Sequence, residues 1–237
     1  MNWNLDAVTS DRKKENKAKK VYNCIIIDEH PIYRLGINYL FETDPEIHII
    51  AGVDTVYEIV NTMLETEPDI AILNISIEGH NSLESIKVLK DKYPDIFILV
   101  ISIYDEKFLA KRVIRAGAHG YIMKEAMASD VKVAVTDILN GKIYFSDFLR
   151  NFMLENFFDF NVDIEEHRID QLNDKEFEVF ILLGKGINLS QIAVKLNRTL
   201  STIETYKRNI KKILNFRKTS KLKEFAVRWV KKHKIYK

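Results

Sequence analysis

Residues 189–214 read LSQIAVKLNRTLSTIETYKRNIKKIL. The stretch predicts a short helix, a tight turn and a longer helix. In the longer helix Ile203, Tyr206, Ile210 and Leu214 recur at i, i+3, i+7 and i+11, the spacing of one buried stripe. The opposite face carries Glu204, Thr205, Arg208, Lys211 and Lys212. A helix with one apolar stripe and a basic back can rest on a small core and offer its outer face to the major groove of DNA. The shorter helix turns Ile192, Ala193 and Leu196 inward. Ser190 and Ser201 are the expected N-caps, because each precedes a helical pattern and its hydroxyl can accept from a free amide. Spacing alone fits an ordinary helix pair with a solvated charged face equally well.

Charge separates the two readings. Residues 171–237 hold 17 Lys+Arg against 5 Asp+Glu, a net of +12, while residues 1–170 hold 19 against 29, a net of −10. A near-neutral chain split in this way is built of two pieces with different partners. The basic piece suits a polyanion, with double-stranded DNA the first candidate.

At 237 residues there is room for one large or two modest domains, and 46% apolar with 30% charged residues suits a chain with real cores. The one cysteine, Cys24, lies in an apolar run, has no partner for an internal disulfide and belongs to no zinc-type cluster. The first twenty residues are polar, without the apolar segment of a secretory leader, and the longest apolar runs, such as Ile96–Ile101, are too short to span a bilayer. A cytoplasmic chain without membrane contact is expected. Residues 1–20, with Arg12, Lys13, Lys14, Lys17, Lys19 and Lys20, read as a disordered basic tail.

From Tyr22 onward apolar runs alternate with amphipathic stretches. Strands are expected at Cys24–Ile27, Ile47–Val53, Ile70–Leu73, Phe97–Ile101 and Gly120–Met123. Helices are expected near Pro31–Phe41, Val56–Glu65, Leu83–Asp91, Glu106–Ala116 and Ala128–Asn140. Five such units predict a doubly wound α/β domain with a parallel sheet covered on both faces, followed by an all-α helix-turn-helix domain. Ligand chemistry in a doubly wound sheet gathers at the carboxyl ends of the strands. Asp28, Glu29, Asn74, Ser102 and Lys124 stand there.

With IIIDEHP (25–31), DIAILN (69–74), LVIS (99–102) and GYIMKE (120–125), residues 21–142 resemble the receiver domain of a two-component response regulator. With LNDKEFEVF (172–180) and SQIAVKLNRTLSTIETYKRNI (190–210), residues 171–237 resemble the LuxR/NarL-type helix-turn-helix domain. The resemblance implies that Asp28 and Glu29 face a divalent metal, that Ser102 and Lys124 contact a phosphoryl group, and that Tyr121 holds the aromatic switch position. The phosphoacceptor position, an aspartate in the family, is Asn74 here. A carboxylate can attack phosphorus; an amide is neutral, with its nitrogen lone pair delocalised into the carbonyl. Losing one negative ligand leaves at most weak Mg²⁺ binding at Asp28 and Glu29. The next loop departs as well, with Ile77-Glu78-Gly79 where Met-Pro-Gly is usual, and Glu78 either replaces the lost charge or is a solvated loop residue. The bland alternative makes Asp28 and Glu29 a polar strand end, Lys124 a buried ion pair and Ser102 a packing residue.

The connection, residues 143–170, is aromatic-rich: Tyr144, Phe145, Phe148, Phe152, Phe157, Phe158 and Phe160 predict a packed helix near Asp147–Phe157, with the flexible joint at Asn161–Arg168. A last helix over Lys221–Lys232 carries Leu222, Phe225, Ala226, Trp229 and Val230 on one face, for a dimer contact or for its own core. By resemblance Glu204, Thr205 and Arg208 reach base edges, while Thr202, Lys207, Lys211 and Lys212 suit phosphates. Tyr206 stands where the family commonly has histidine.

The expected function is sequence-specific transcription regulation by a homodimer whose receiver has lost phosphoryl acceptance. An ordinary phosphorelay regulator using another acceptor, or an adaptor binding another regulatory protein, are the alternatives. No nucleophile–base set, Gly-rich phosphate loop or metal cluster points to an enzyme, and no cofactor is expected beyond weak Mg²⁺.

Overall fold

The computed structural model describes residues 20–76, 82–158, 168–233 and 235. Five strands, β1 (Tyr22–Ile27), β2 (Ile47–Val53), β3 (Ile70–Asn74), β4 (Phe97–Ser102) and β5 (Gly120–Met123), pair in parallel in the order β2-β1-β3-β4-β5. Isoleucine-rich strands suit a sheet buried on both faces. Cys24 and Ile26 pack to one side with Ile37 and Phe41 of α1 (Pro31–Phe41) and with Val131, Ala134, Val135 and Ile138 of α5 (Ala128–Leu139). Ile25 and Ile27 pack to the other side, with α2 (Val56–Asn61), α3 (Leu83–Lys92) and α4 (Glu106–Ala116). Burial holds the Cys24 thiol up at about 12, so it behaves as a small apolar residue.

Beyond the sheet follow α6 (Asp147–Phe158), a helical turn at 168–170, α7 (Asp174–Gly184), α8 (Leu189–Lys195), α9 (Leu200–Ile213) and α10 (Thr219–Lys232). The doubly wound sheet and the helical end are as the sequence pattern predicts. α7 and α10 cross so closely at Gly184 that a Cβ there would lie 2.4 Å from Val230 and 2.5 Å from the Ala226 carbonyl. The five residues on the apolar face of the last helix, Leu222, Phe225, Ala226, Trp229 and Val230, are buried within the chain itself, while Val227 is half-buried.

Several local expectations fail for physical reasons. The second helix stops at Asn61 rather than Glu65, because Thr62 turns extended and its hydroxyl caps the Glu58 carbonyl at 2.7 Å. The helix pair is capped by Asn188 and Thr199, not by Ser190 and Ser201. Asn188 Oδ1 accepts from the Gln191 amide at 2.9 Å, and Thr199 Oγ1 accepts from the Thr202 amide at 3.2 Å. Both cap residues are extended, so each helix begins before the serine is reached. Leu196 is only half-buried. Phe148 does not seek the interior; it is 55% exposed, and the Lys107 ammonium covers both it and Phe152 at 4.8 Å from each ring. Leu149 of α6 is buried. The basic tail, Glu78 with its loop, and most of the expected joint lie outside the described residues.

One apolar cluster runs unbroken from α3 and α4 into α7, α9 and α10. Arg112 of α4 seals that seam. Its guanidinium donates to the carbonyls of Leu172 and Ile169 at 2.8 and 2.9 Å, lies 3.5 Å from the Asp174 carboxylate and stacks 4.1 Å from the Phe177 ring centroid. Burial pulls its pKa down, and Asp174 and Asp170 oppose the shift. Phe108, also on α4, meets the rings of Trp229 and His233 edge-on at 4.8 and 4.2 Å.

Candidate functional sites: an acid pocket and a basic helix

Parallel register brings the carboxyl ends of β1, β3, β4 and β5 together, since Ile27 pairs with Leu73, Asn74 with Ile101, and Ser102 with Met123. Asp28, Asn74 and Ser102 are all buried there, and Glu29 is partly exposed. The Lys124 ammonium approaches Asp28 Oδ2 at 2.6 Å. That oxygen has no aligned hydrogen-bond donor, so the contact is one of charge rather than a directed bond. Asp28 Oδ1 accepts from the His30 amide at 2.9 Å and lies 2.7 Å from His30 Nδ1. The Tyr33 ring covers the ammonium at 4.3 Å, and burial, then the Asp28 charge, pushes its phenol up to about 12. Arg34 donates to the Asp28 carbonyl and pairs with Asp54.

Ser102 and Tyr121 form a second set of linked contacts. The Ser102 hydroxyl donates to the Ile75 carbonyl at 2.7 Å and accepts from the Tyr104 amide at 3.4 Å. Tyr121 is wholly buried, and its hydroxyl donates to the Tyr104 carbonyl at 2.6 Å. Burial drives the Tyr121 phenol far above its ordinary range. Asp28, Lys124 and His30 thus form one set; Ser102 and Tyr121 form another, committed to backbone.

The resemblance sets a divalent cation against Asp28 and Glu29, but the residues do not fit one as they stand. Both Asp28 oxygens are engaged, one by an ammonium, and Asn74 supplies no charge. No group of three or more His, Cys, Asp or Glu able to hold a metal occurs among the described residues. No helix among them is long and apolar enough to cross a membrane.

The basic helix α9 is built otherwise. Ile203, Ile210 and Leu214 are buried, as the stripe predicts, while Tyr206 is half-buried and lines a cleft with Glu84, Lys87, Lys175 and Arg198. Glu204, Arg208 and Lys212 are exposed on the outer face. Thr202, Thr205, Lys207 and Lys211 are half-buried. The Thr205 hydroxyl donates to the Ser201 carbonyl at 3.0 Å, and Thr202 shares its hydroxyl with Thr199 at 2.9 Å. Lys207 lines a cleft together with Leu183, Ile187 and Leu222. The turn between α8 and α9 passes through Asn197 at φ 50°, a left-handed position that asparagine tolerates.

Sequence reasoning missed His30, Tyr33, Glu84 and Arg112. His30 was readable in IIIDEHP as a polar residue two positions after Asp28. Arg112 betrays itself on α4 by falling between Leu109 and Val113 on the apolar face, where a charge needs partners. Glu84, which pairs with Lys175 at 2.8 Å and Arg198 at 4.0 Å, gave no local signal.

Residues 24–136 match the response regulator receiver domain. Over 191 residues the chain is 30% identical to the nitrate/nitrite response regulator protein homolog of Haemophilus influenzae, covering 81% of this chain and 89% of that protein. It is 26% identical over 209 residues to the oxygen regulatory protein NreC of Staphylococcus epidermidis, covering 86% and 96%. The Salmonella typhimurium RcsB response regulator superposes with a TM-score of 0.66 at 20% identity, over 88% of this chain and 98% of that one. RcsB bound to promoter rprA in the presence of phosphomimetic BeF₃⁻ superposes at 0.65 and 22% identity, over 88% and 99%. Shared identity across both the sheet and the helical end places the chain within a family: it belongs to the NarL/LuxR-type response regulators.

Proposed function

We propose that this chain is a sequence-specific DNA-binding transcription regulator, acting as a homodimer, whose receiver does not wait for phosphate. Residues 21–142 form the receiver, 143–170 the connection and 171–237 the reading domain. Arg208, with Glu204 and Thr205, reads base edges; Lys211, Lys212, Lys207 and Thr202 hold phosphates. The exposure of Arg208, Glu204 and Lys212 in the docked chain supports this reading, as do relatives described as bound to promoters and as dimers on DNA.

The observation that carries the loss of phosphorylation is Asn74, buried at the end of β3 where the family has its acceptor. An amide there can neither attack phosphorus nor balance a metal. The side chains around it are already satisfied: Lys124 by Asp28, Ser102 by the Ile75 carbonyl, Tyr121 by the Tyr104 carbonyl. The pocket then acts as retained framework, with Tyr121 locked inward. We assign the chain no catalytic role.

Promoter footprinting with and without acetyl phosphate and Mg²⁺ tests this. Equal footprints are expected, with no hydroxylamine-labile adduct. A footprint that appears only with the phosphodonor revives the conventional phosphorelay. Binding that ignores sequence at every salt concentration favours the adaptor instead.

A further inference from the structure

α1, PIYRLGINYLF, carries apolar residues on both sides. Ile37 and Phe41 are buried, while Ile32, Leu35 and Tyr39 are 85%, 67% and 78% exposed. A groove of about 650 Å³ lies between α1 and the start of α5. Tyr33, Ile37 and Leu40 line it from α1, and Ala128 and Val131 from α5. Small-molecule sites occupy roughly 300–1,000 Å³ and have apolar or aromatic walls with a few polar groups, and the groove fits both descriptions. The cleft at the seam is built otherwise: Glu84, Lys175 and Arg198 line it and already pair with one another.

Gly36 stands mid-helix on the groove, and a Cβ there would meet nothing within 4 Å. No contact inside the chain calls for glycine, which costs roughly 0.5–1 kcal/mol against alanine in a helix interior. Its effect is to leave the groove clear. Lys132 supplies the charge. It is half-buried in the groove, and its ammonium has no hydrogen bond or ion pair among the described residues. Lys124 also lines the groove but is answered by Asp28 at 2.6 Å, and Glu42 is exposed and keeps its water. An apolar side chain of another protein would cover Lys132 without neutralising it, which is costly, whereas an anion neutralises it. The Tyr33 phenol, held up at about 12, keeps its proton and adds a hydrogen-bond donor.

We infer that this groove binds a small amphipathic carboxylic acid. Its carboxylate pairs with the Lys132 ammonium, and its apolar body lies along α1 over Gly36. From Ile32 to Leu40 the groove follows about 12 Å of helix, room for an extended chain of about ten carbons. Neither Asn74 nor any residue of α9 lines it, so binding stands or falls apart from whether the chain reads phosphate or DNA.

Titration calorimetry of the full chain with decanoate, at neutral pH and without DNA, tests the site. One equivalent per chain is expected to bind saturably. Decanol and decylamine, with the same tail and a neutral or cationic head, are expected to bind roughly tenfold more weakly or worse. Lys132→Glu is expected to raise the dissociation constant for decanoate by the same factor, and Lys132→Arg to bind as the wild type does. Gly36→Leu, with a better helix former than glycine, fills the groove and is expected to abolish binding. Heat that never saturates, several equivalents bound alike, or decanol or decylamine binding as tightly each overturns the proposal. So does decanoate binding unchanged in Lys132→Glu or Gly36→Leu, or a groove that a second copy or another protein keeps closed to decanoate.

Discussion

The acid pocket and the basic helix handle charge in opposite ways. Asp28, His30 and Lys124 lie within 3.3 Å of one another, the Asp28 carboxylate almost sealed from solvent. On α9, Arg208 and Lys212 project into water. A charge already neutralised at short range has little left to offer a ligand, whereas an exposed cation on a rigid helix keeps its attraction for a polyanion. One region has turned its ionic groups into structure; the other holds them ready for a partner.

The comparison breaks most readily at the pocket. Asp28→Asn leaves the Lys124 ammonium without its counter-charge in a nearly closed site. Removing one partner of a buried pair costs about 3–5 kcal/mol. Chemical denaturation should show a loss near the lower bound, since Lys124 keeps some access to solvent. DNA affinity of the folded fraction should hold. A variant as stable as the wild type would mean that the pair contributes nothing to the fold.

Next in size is the seam. Arg112→Ala strands the Leu172 and Ile169 carbonyls and bares the Phe177 ring. Each buried group left unsatisfied costs roughly 1–3 kcal/mol. The expected signature is faster proteolytic separation of the two halves together with a lowered melting point. An unchanged digestion pattern would show that the two halves stay together without the arginine.

The reading helix sharpens the contrast. Arg208→Ala should lose about 1–3 kcal/mol on the preferred sequence and relax discrimination at one base position. Lys211→Ala should weaken all DNA alike and lower the salt slope by about one unit. Gel shifts on specific and scrambled duplexes across a salt series separate the two. Equal losses on every duplex for Arg208→Ala remove it from base reading.

The smallest effect belongs to Glu106. Its carboxyl is buried, with Oε1 accepting from the Ser146 hydroxyl at 2.6 Å and Oε2 without a partner. Burial raises its pKa, the Ser146 bond opposes this, and the charge of Asp105 adds to it. A raised carboxyl pKa means that the fold prefers the protonated form. Stability is therefore full below the ordinary carboxylate range and falls as pH rises through the folded value. Glu106→Gln, uncharged throughout, should gain on the wild type as pH rises across that window and show no such gain in acid. Melting curves at several pH values decide it, and a gain confined to low pH would reverse the sign.

Much of this was legible in the residues. Alternating apolar runs and amphipathic stretches predict the sheet and its helices, because strand and helix impose different periods on burial. Asn74 is legible as chemistry, since an amide cannot do what a carboxylate does wherever it sits. The caps were less so: Asn188 and Ser190, or Thr199 and Ser201, are each competent, and only backbone dihedrals choose between them. The exposure of Phe148 escaped for a similar reason, since an ammonium from another helix covers it.

By itself the sequence determined which elements form and which strand ends gather side by side, both consequences of local periodicity, and it set an amide, Asn74, at one of those ends. Only the tertiary structure decided that Lys124 answers Asp28, that Arg112 locks the helical end to α4, and that α1 turns an apolar stripe outward. Those outcomes depend on contacts between residues up to 96 positions apart, as with Lys124 and Asp28. Distance along a chain carries no record of distance in space until the core has closed.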